Sequence, residues 1–479
     1  MNYSVILYII GAILKLEAAF MSLPLLTAVI YQEKSGFAFL ITMIVCFVLG
    51  FLLTFKKPKN HVFHAREGFV TVALSWIVLS IVGATPFVIS GSIPDFVDAL
   101  FEAVSGFTTT GSSILADVEI MPHCVIIWRS FMHWIGGMGV LVFILCLLPL
   151  TGGYHMNLMK AESPGPSVSR LVPKVQSTAK ILYAIYIVMT LIQIILLLIG
   201  KMPVFDTLCV TFGSAGTGGF GIKNDSMASY STYIQVVTTV FMILFGVNFN
   251  AYFLLLTRKF SQAIKTEEVR CYFGIIAVST TVIAFNTLHM FENIGQAFQQ
   301  AAFQVGSIIT TTGYATTDFD QWPALSRTIL VILMIIGACA GSTGGGFKVS
   351  RVLIMFKTVR KELMLCLHPN AVKKVKMDGK AIPHEVIRST NIFMFVYVLI
   401  FAFSVLLISL DNFDLTTNFT AVAATFNNIG PGLGLVGPTQ NFGLFSHFSK
   451  CVMIFDMLAG RLEIFPLLLL FKKDSWKGF

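Results

Sequence analysis

Long apolar runs alternate with short ones along the chain in a regular order. Runs of about 20 residues or more, the length a membrane-spanning helix needs, lie at 4–31, 36–55, 68–91, 124–150, 180–200, 231–257, 270–290, 324–361, 388–410 and 446–471. Shorter apolar pieces at 96–107, 204–215, 295–309 and 415–427 cannot cross a bilayer. Each short piece leads into a Gly-bearing polar stretch: Thr108-Thr-Thr-Gly-Ser-Ser113, Gly216-Thr-Gly-Gly-Phe220, Ser307-Ile-Ile-Thr-Thr-Thr-Gly-Tyr-Ala-Thr-Thr-Asp318 and Asn427-Asn-Ile-Gly-Pro-Gly432. With Gly111, Gly218, Gly313 and Gly430 taken as equivalent, the intervals are 107, 95 and 117 residues. The order of long run, short run, Gly stretch and long run occurs four times after an initial pair of long runs. It predicts an all-α membrane protein of ten transmembrane helices. An N-terminal pair covers 1–65, and four pseudo-symmetric helix–pore-loop–helix repeats cover 66–160, 161–262, 263–383 and 384–479. Repeats of this size point to a pathway at their common axis.

Backbone inside a bilayer leaves regular structure only where it is buried in protein or lines a watery cavity. Rings of backbone carbonyls replace the hydration shell of an alkali cation. The four stretches are therefore expected to form one selectivity filter. Its residues are Thr109, Thr110 and Gly111; Thr217 and Gly218; Thr311, Thr312 and Gly313; and Asn428, Ile429 and Gly430.

The eighth long run is close to twice the length one span requires and is interrupted by Gly337-Ala-Cys-Ala-Gly-Ser-Thr-Gly-Gly-Gly-Phe-Lys348. Gly in a helix interior costs about 1 kcal/mol relative to Ala, so a break is expected on the side of the filter toward the cytoplasm. Gly341, Ser342, Thr343, Gly344, Gly345 and Gly346 form a candidate gate; the competing reading is a close helix-packing motif. Arg461 lies within the last run, where a cation is by default functional. At 100° per residue Glu463 is about 200° and Asp456 about 140° away on a continuous helix. Arg461 is thus expected to find partners on another helix, on loop carbonyls or in pore water. Lys15 and Glu17, in the first run, are expected to pair with neighbouring helices.

Composition agrees: 56% of the 479 residues are hydrophobic and 12% charged, which excludes an ordinary soluble protein. On the side shared by both termini the loops carry 25 Lys and Arg, and on the other side six. That bias places the termini in the cytoplasm and the Gly stretches toward the outside. The net charge of +9 then needs no nucleic acid to explain it. The outer side has 13 acids, among them Asp95, Asp98, Asp206, Asp318, Asp320, Asp411 and Asp414, which would concentrate cations at an acidic mouth or simply be solvated. The eight Cys form no close pairs and the nine His no ligand spacing, so no metal site is expected, and His133 reads as a buried structural residue or an interface group. No basic flank or cleavage pattern marks a signal peptide, so the first run is expected to stay as a span. Gly432-Leu-Gly-Leu-Val-Gly437 and Gly341-Ser-Thr-Gly-Gly-Gly346 mimic nucleotide-binding motifs, but no strand precedes either one. Without a nucleophile, base and oxyanion set, an enzyme is not indicated.

The segments SGFTTTGSS, WIGGMGVLVF, AESPGP, TTTGYATTDFDQWP, GACAGSTGGGFKVSR, FNNIGPGLG and GRLEIFP together resemble the Trk/Ktr/HKT superfamily of potassium transporters, specifically the membrane subunit of its bacterial Trk branch. The matches run in order from about residue 100 to 467, and the two extra N-terminal spans resemble the Trk rather than the Ktr branch. The resemblance implies K⁺ as the transported ion and filter carbonyls near Gly111, Gly218, Gly313 and Gly430. It also implies an intramembrane gating loop at 337–348 with Arg461 near it, and no organic cofactor. It implies a homodimer in the lipid bilayer of the bacterial cytoplasmic membrane with a cytosolic, nucleotide-binding regulator of the TrkA type. The best alternative is a secondary transporter coupling K⁺ to H⁺ or Na⁺.

Overall fold

The computed structural model describes residues 1–58, 65–137, 139 and 175–476. The first long run forms α1 (Tyr3–Phe20) and α2 (Ser22–Ile30), and the second forms α3 (Gly36–Thr54). A common order then recurs: a long helix, a short helix, a loop and a second helix. The first set is α4 (Ala65–Ile89), α5 (Phe96–Phe107) and α6 (His123–Gly137). The second is α7 (Val175–Ile199), α8 (Val204–Gly216) and α9 (Thr232–Phe245), followed by α10 (Phe249–Leu256) and the connecting α11 (Phe260–Lys265). The third is α12 (Glu267–Asn286), α13 (Ile294–Ile309) and α14 (Ala324–Ile336), followed by α15 (Val349–Leu367) and a small hairpin of β1 (Lys376–Met377) and β2 (Lys380–Ala381). The fourth is α16 (His384–Ile408), α17 (Leu415–Phe426) and α18 (His447–Arg461), followed by α19 (Phe465–Phe471).

Among the described residues six helices are long and apolar enough to cross a membrane: α1 with α2 as one run, α3, α4, α7, α12 and α16. The outward faces of α3, α7 and α16 expose Phe47, Phe51, Leu191, Ile195, Phe395 and Phe403, side chains that suit lipid and not water. The helices after the loops depart from expectation. The runs 231–257 and 446–471, each expected to supply a continuous span, are broken, and 324–361 is broken at the Gly-rich insert where a break was expected. Helices α9 and α10 meet at 91° across Gly246-Val247-Asn248, where the Asn248 side chain caps α10. Helix α14 stops at Gly337 (φ 72°), and α18 stops at Arg461, ahead of Glu463 and Ile464 at φ 55° and 66°. A Gly stands at or beside each break, but only Gly337 takes up the left-handed backbone that a Cβ opposes; Gly246 and Gly460 instead allow close approach, to the Tyr272 hydroxyl and the Phe426 carbonyl. Beyond Gly137 the run at 124–150 falls almost wholly outside the described residues, as do Lys59, Lys160, Arg170, Lys174, Lys477 and the boundary drawn at 160.

Packing follows a cycle. Each short helix rests against the long helix before it, the helix after its own loop, and the post-loop helix of the preceding set. Thus α8 touches α7, α9 and α6; α13 touches α12, α14 and α9; α17 touches α16, α18 and α14. The cycle closes because α5 packs on α4, α6 and α18. Three short helices start at polar caps: Asp95 on α5, Asn293 on α13 and Asp414 on α17. Glu17, expected to pair, is buried with both carboxylate oxygens lacking a hydrogen-bond partner among the described residues.

Candidate functional site

The four short helices end identically. The N–H groups of Thr110, Gly218, Thr312 and Ile429 each donate at 2.8 Å to the carbonyl five residues earlier, on Ser105, Gly213, Ser307 and Ala424. The residues just before them, Thr109, Thr217, Thr311 and Asn428, sit in left-handed backbone at φ 55° to 60° and donate three residues back. This is the Schellman arrangement, which satisfies helix-end carbonyls through one left-handed residue. Three of the four are Thr, a β-branched type that such backbone disfavours. Strain of this kind, repeated at four related places, marks a functional constraint.

Two residues past each left-handed residue stands a Gly at positive φ: Gly111, Gly219, Gly313 and Gly430. The second loop therefore aligns through Gly219, not Gly218 as the sequence spacing suggested. Gly218 occupies the position of Thr110, Thr312 and Ile429. A Cβ added to Gly111 would collide with the carbonyl oxygen of Gly218, one on Gly219 with that of Thr312, and one on Gly313 with that of Ile429. One on Gly430 would lie 3.0 Å from the oxygen of Thr110. Four glycines and four carbonyls thus abut in a closed cycle, each loop against the next. All four glycines also line one cavity of about 150 Å³, with Ser112, Ser113, Asn224, Thr439, Gln440 and Asn441 among its walls. The C-termini of four helices converge on this ring, and helix C-termini carry partial negative charge that favours a cation.

The acids expected at the mouth serve elsewhere. Asp95 and Asp414 cap short helices, Asp206 accepts from Tyr230, and Asp411 accepts the N–H of Ser446 at 2.9 Å. Asp98 pairs with Lys450 at 2.5 Å, Asp318 caps a helical turn, and Asp320 faces Arg327 at 3.7 Å. Among the described residues no acid lines the cavity, whereas Arg129 and Lys223 do. The acidic mouth is thus corrected: helix starts need carboxylates more than the vestibule does. His133 is fully buried, its Nδ1 2.8 Å from the Gly106 carbonyl and its Nε2 accepting the Phe220 N–H at 3.3 Å. One neutral tautomer satisfies both bonds and ties the first short helix to the second loop.

On the far side of the ring from the cavity lies the Gly-rich segment. Gly345 N–H donates to Thr311 Oγ1 at 2.6 Å, and a Cβ on Gly345 would strike the Asn427 carbonyl. Ser342, Thr343, Gly344 and Gly345 are buried, whereas Gly341 is exposed and Gly346 partly so. The segment's ends touch: Phe347 and Lys348 N–H groups donate to Ile335 and Ile336, and Gly337 lies against Gly346. Glu268 accepts from the N–H of Ala340 at 2.6 Å and of Ser350 at 3.2 Å.

Arg461 ends its helix here, so the wheel relation to Glu463 does not apply. Its Nη1 donates to the Thr343 carbonyl at 2.9 Å; its Nη2 donates to Gly137 O at 3.0 Å and to Gly136 O. The guanidinium thus joins the Gly-rich segment to the C-terminus of α6, one of the alternatives left open above. Glu463 pairs instead with Arg351 at 2.5 Å, and Asp456 accepts from Ser404 at 2.7 Å.

A family model described as "TrkH: Cation transport protein" matches residues 35–477. The Trk system potassium uptake protein TrkH of Salmonella typhimurium is 36% identical over the full length of both chains. TrkG of Escherichia coli is 32% identical over 99% of each. The crystal structure of the potassium transporter TrkH from Vibrio parahaemolyticus superposes with a TM-score of 0.89 at 33% identity, covering all of both chains. Sequence and architecture agree: the chain belongs to the TrkH family of cation transport proteins.

Proposed function

We propose that this protein carries K⁺ into a bacterial cell across the cytoplasmic membrane, through the ring formed by the four loops. The observation that carries the reading is the closed cycle of Gly111, Gly219, Gly313 and Gly430 against the carbonyls of Gly218, Thr312, Ile429 and Thr110. Such a ring presents oxygens at fixed spacing to a dehydrated alkali cation, and relatives named for potassium uptake support that ion. The six continuous helices, the three broken ones and the run at 124–150 would make ten passes, with both termini cytoplasmic and the cavity of about 150 Å³ facing outward. Segment 337–348, latched by Arg461, is the gate beneath the ring. The protein works as a homodimer, and a cytosolic nucleotide-binding subunit of the TrkA type shifts the gate. The test is flux from purified protein in liposomes under K⁺, Rb⁺, Na⁺ and H⁺ gradients. Current that rises linearly with driving force and favours K⁺ and Rb⁺ over Na⁺ supports the reading. Saturable dependence on Na⁺ or pH would replace it with coupled transport, and absence of K⁺ flux from folded protein with its regulator would refute it.

A further inference from the structure

A buried ion pair stands directly behind the first loop. Glu102 lies on α5 and Arg129 on α6, with side chains 0% and 1% exposed. Glu102 Oε1 accepts from Arg129 Nε at 2.7 Å and lies 2.6 Å from Nη2. The same carboxylate accepts the Ser113 hydroxyl at 2.9 Å and the Ile114 N–H at 3.0 Å, and Arg129 Nη2 also reaches Ser113 Oγ at 3.2 Å. Ser113 and Ile114 lie on the extended loop segment leaving Gly111. The guanidinium carbon also lies 4.1 Å from the ring centre of Phe220, the residue after Gly219 in the second loop. One pair of side chains therefore grips the first loop and braces it against the second.

We propose that Glu102 and Arg129 are a positioning pair that sets ion discrimination by fixing the spacing of the first two ring carbonyls, those of Thr110 and Gly218. The proposal rests on the ring being the filter. The pair's position has a counterpart that clarifies its task. Eight residues before each ring carbonyl stand Glu102, Val210, Gln304 and Ala421. Gln304, also fully buried, donates to Thr316 Oγ1 at 3.2 Å, the residue four past Thr312 as Ile114 is four past Thr110. The same site thus clasps the outgoing loop segment twice, through a neutral amide in the third loop and a charged clamp in the first. Charge-assisted bonds hold geometry more tightly than neutral ones. A carbonyl ring tuned to one ion needs its spacing held in this way, and the charged clamp stands in one quarter only.

The test compares Na⁺-to-K⁺ and Rb⁺-to-K⁺ flux ratios in liposomes for three full-length variants. The double variant Glu102→Gln/Arg129→Gln removes the clamp without leaving one buried charge uncompensated. Ser113→Ala removes only the hydroxyl that both partners hold, and Gly313→Ser perturbs the ring elsewhere. The double variant is expected to raise the Na⁺-to-K⁺ ratio at least about threefold, with Ser113→Ala moving it the same way by less. A folded double variant with reduced flux but a wild-type ratio overturns the proposal, provided Gly313→Ser does shift the ratio. If Gly313→Ser leaves it unchanged too, the ring reading itself falls. Should the double variant not fold, Ser113→Ala decides: an unchanged ratio overturns the positioning role.

Discussion

Arg461→Ala should open the pathway in the absence of the regulator. The guanidinium bonds two elements with different nitrogens: Nη1 to Thr343 of the Gly-rich segment, Nη2 to the end of α6. Only the first bond must break for the segment to leave. A hydrogen bond to a charged group contributes about 1.5–3 kcal/mol, so its loss should shift the closed-to-open equilibrium about 10- to 150-fold. The assay is K⁺ flux from liposomes lacking the regulator, beside size-exclusion profiles that certify folding. Discrimination between K⁺ and Na⁺ should hardly change, because the ring is a separate layer. Arg461→Lys separates two accounts. A single ammonium cannot span Thr343 and Gly137 as the planar fork does, so Lys should leak as Ala does. If Lys instead behaves as wild type, point charge in the pathway is what matters. Unchanged regulator-free flux in folded Arg461→Ala would refute the latch altogether.

Substitution of the ring glycines should follow the packing. Gly219→Ser should cost more folded protein and more K⁺ selectivity than Gly430→Ser, since an added Cβ overlaps a carbonyl at Gly219 but stands 3.0 Å off at Gly430; equal effects in a flux-ratio assay would contradict this. Excision within the gate, either Gly341–Gly346 or Ala338–Gly345, should raise regulator-free flux, the second more cleanly because Gly337 and Gly346 already touch. Loss of folded protein from both would make the segment a packing element. Glu33 accepts the N–H groups of His123 and Cys124 at the start of α6; partial burial pushes its carboxyl up, but the bonds from Cys124 and His123 outweigh it and hold the group below its ordinary value. Its stabilisation is then full above the unfolded value of about 4.3 and lost as pH falls through the folded one. Thermal midpoints in detergent should drop on acidification through that window, and Glu33→Gln should flatten the drop.

The four loops were legible in the sequence because polar, Gly-bearing stretches between apolar runs have few other uses. The register of the second loop was not, because Gly216, Gly218 and Gly219 crowd around Thr217 and spacing alone cannot choose among them. A usable signal existed: a Thr or Asn two residues before the Gly, the place the left-handed helix cap requires. The Gly-rich break at 337–348 could be read, but the single glycines at 246 and 460 were hidden within apolar runs long enough to span. The acids were misread because a carboxylate at a helix start looks, in one dimension, like one at a pore mouth. Glu102 passed unremarked, although an acid in the middle of a short apolar helix is itself a flag. Arg129 is in the sequence one of the six cations on the outer side, and only the fold brings it onto Glu102.

The contacts around the ring are unequal: three would not admit a Cβ at all, and one, from Gly430 to Thr110, is less tight though still close. In a tetramer of identical subunits every joint would be the same, and a substitution would strike all four walls at once. Here one polypeptide supplies each wall from its own codons. Loop dimensions can then change one quarter at a time, and the joint where first and last repeats meet has the most room for it.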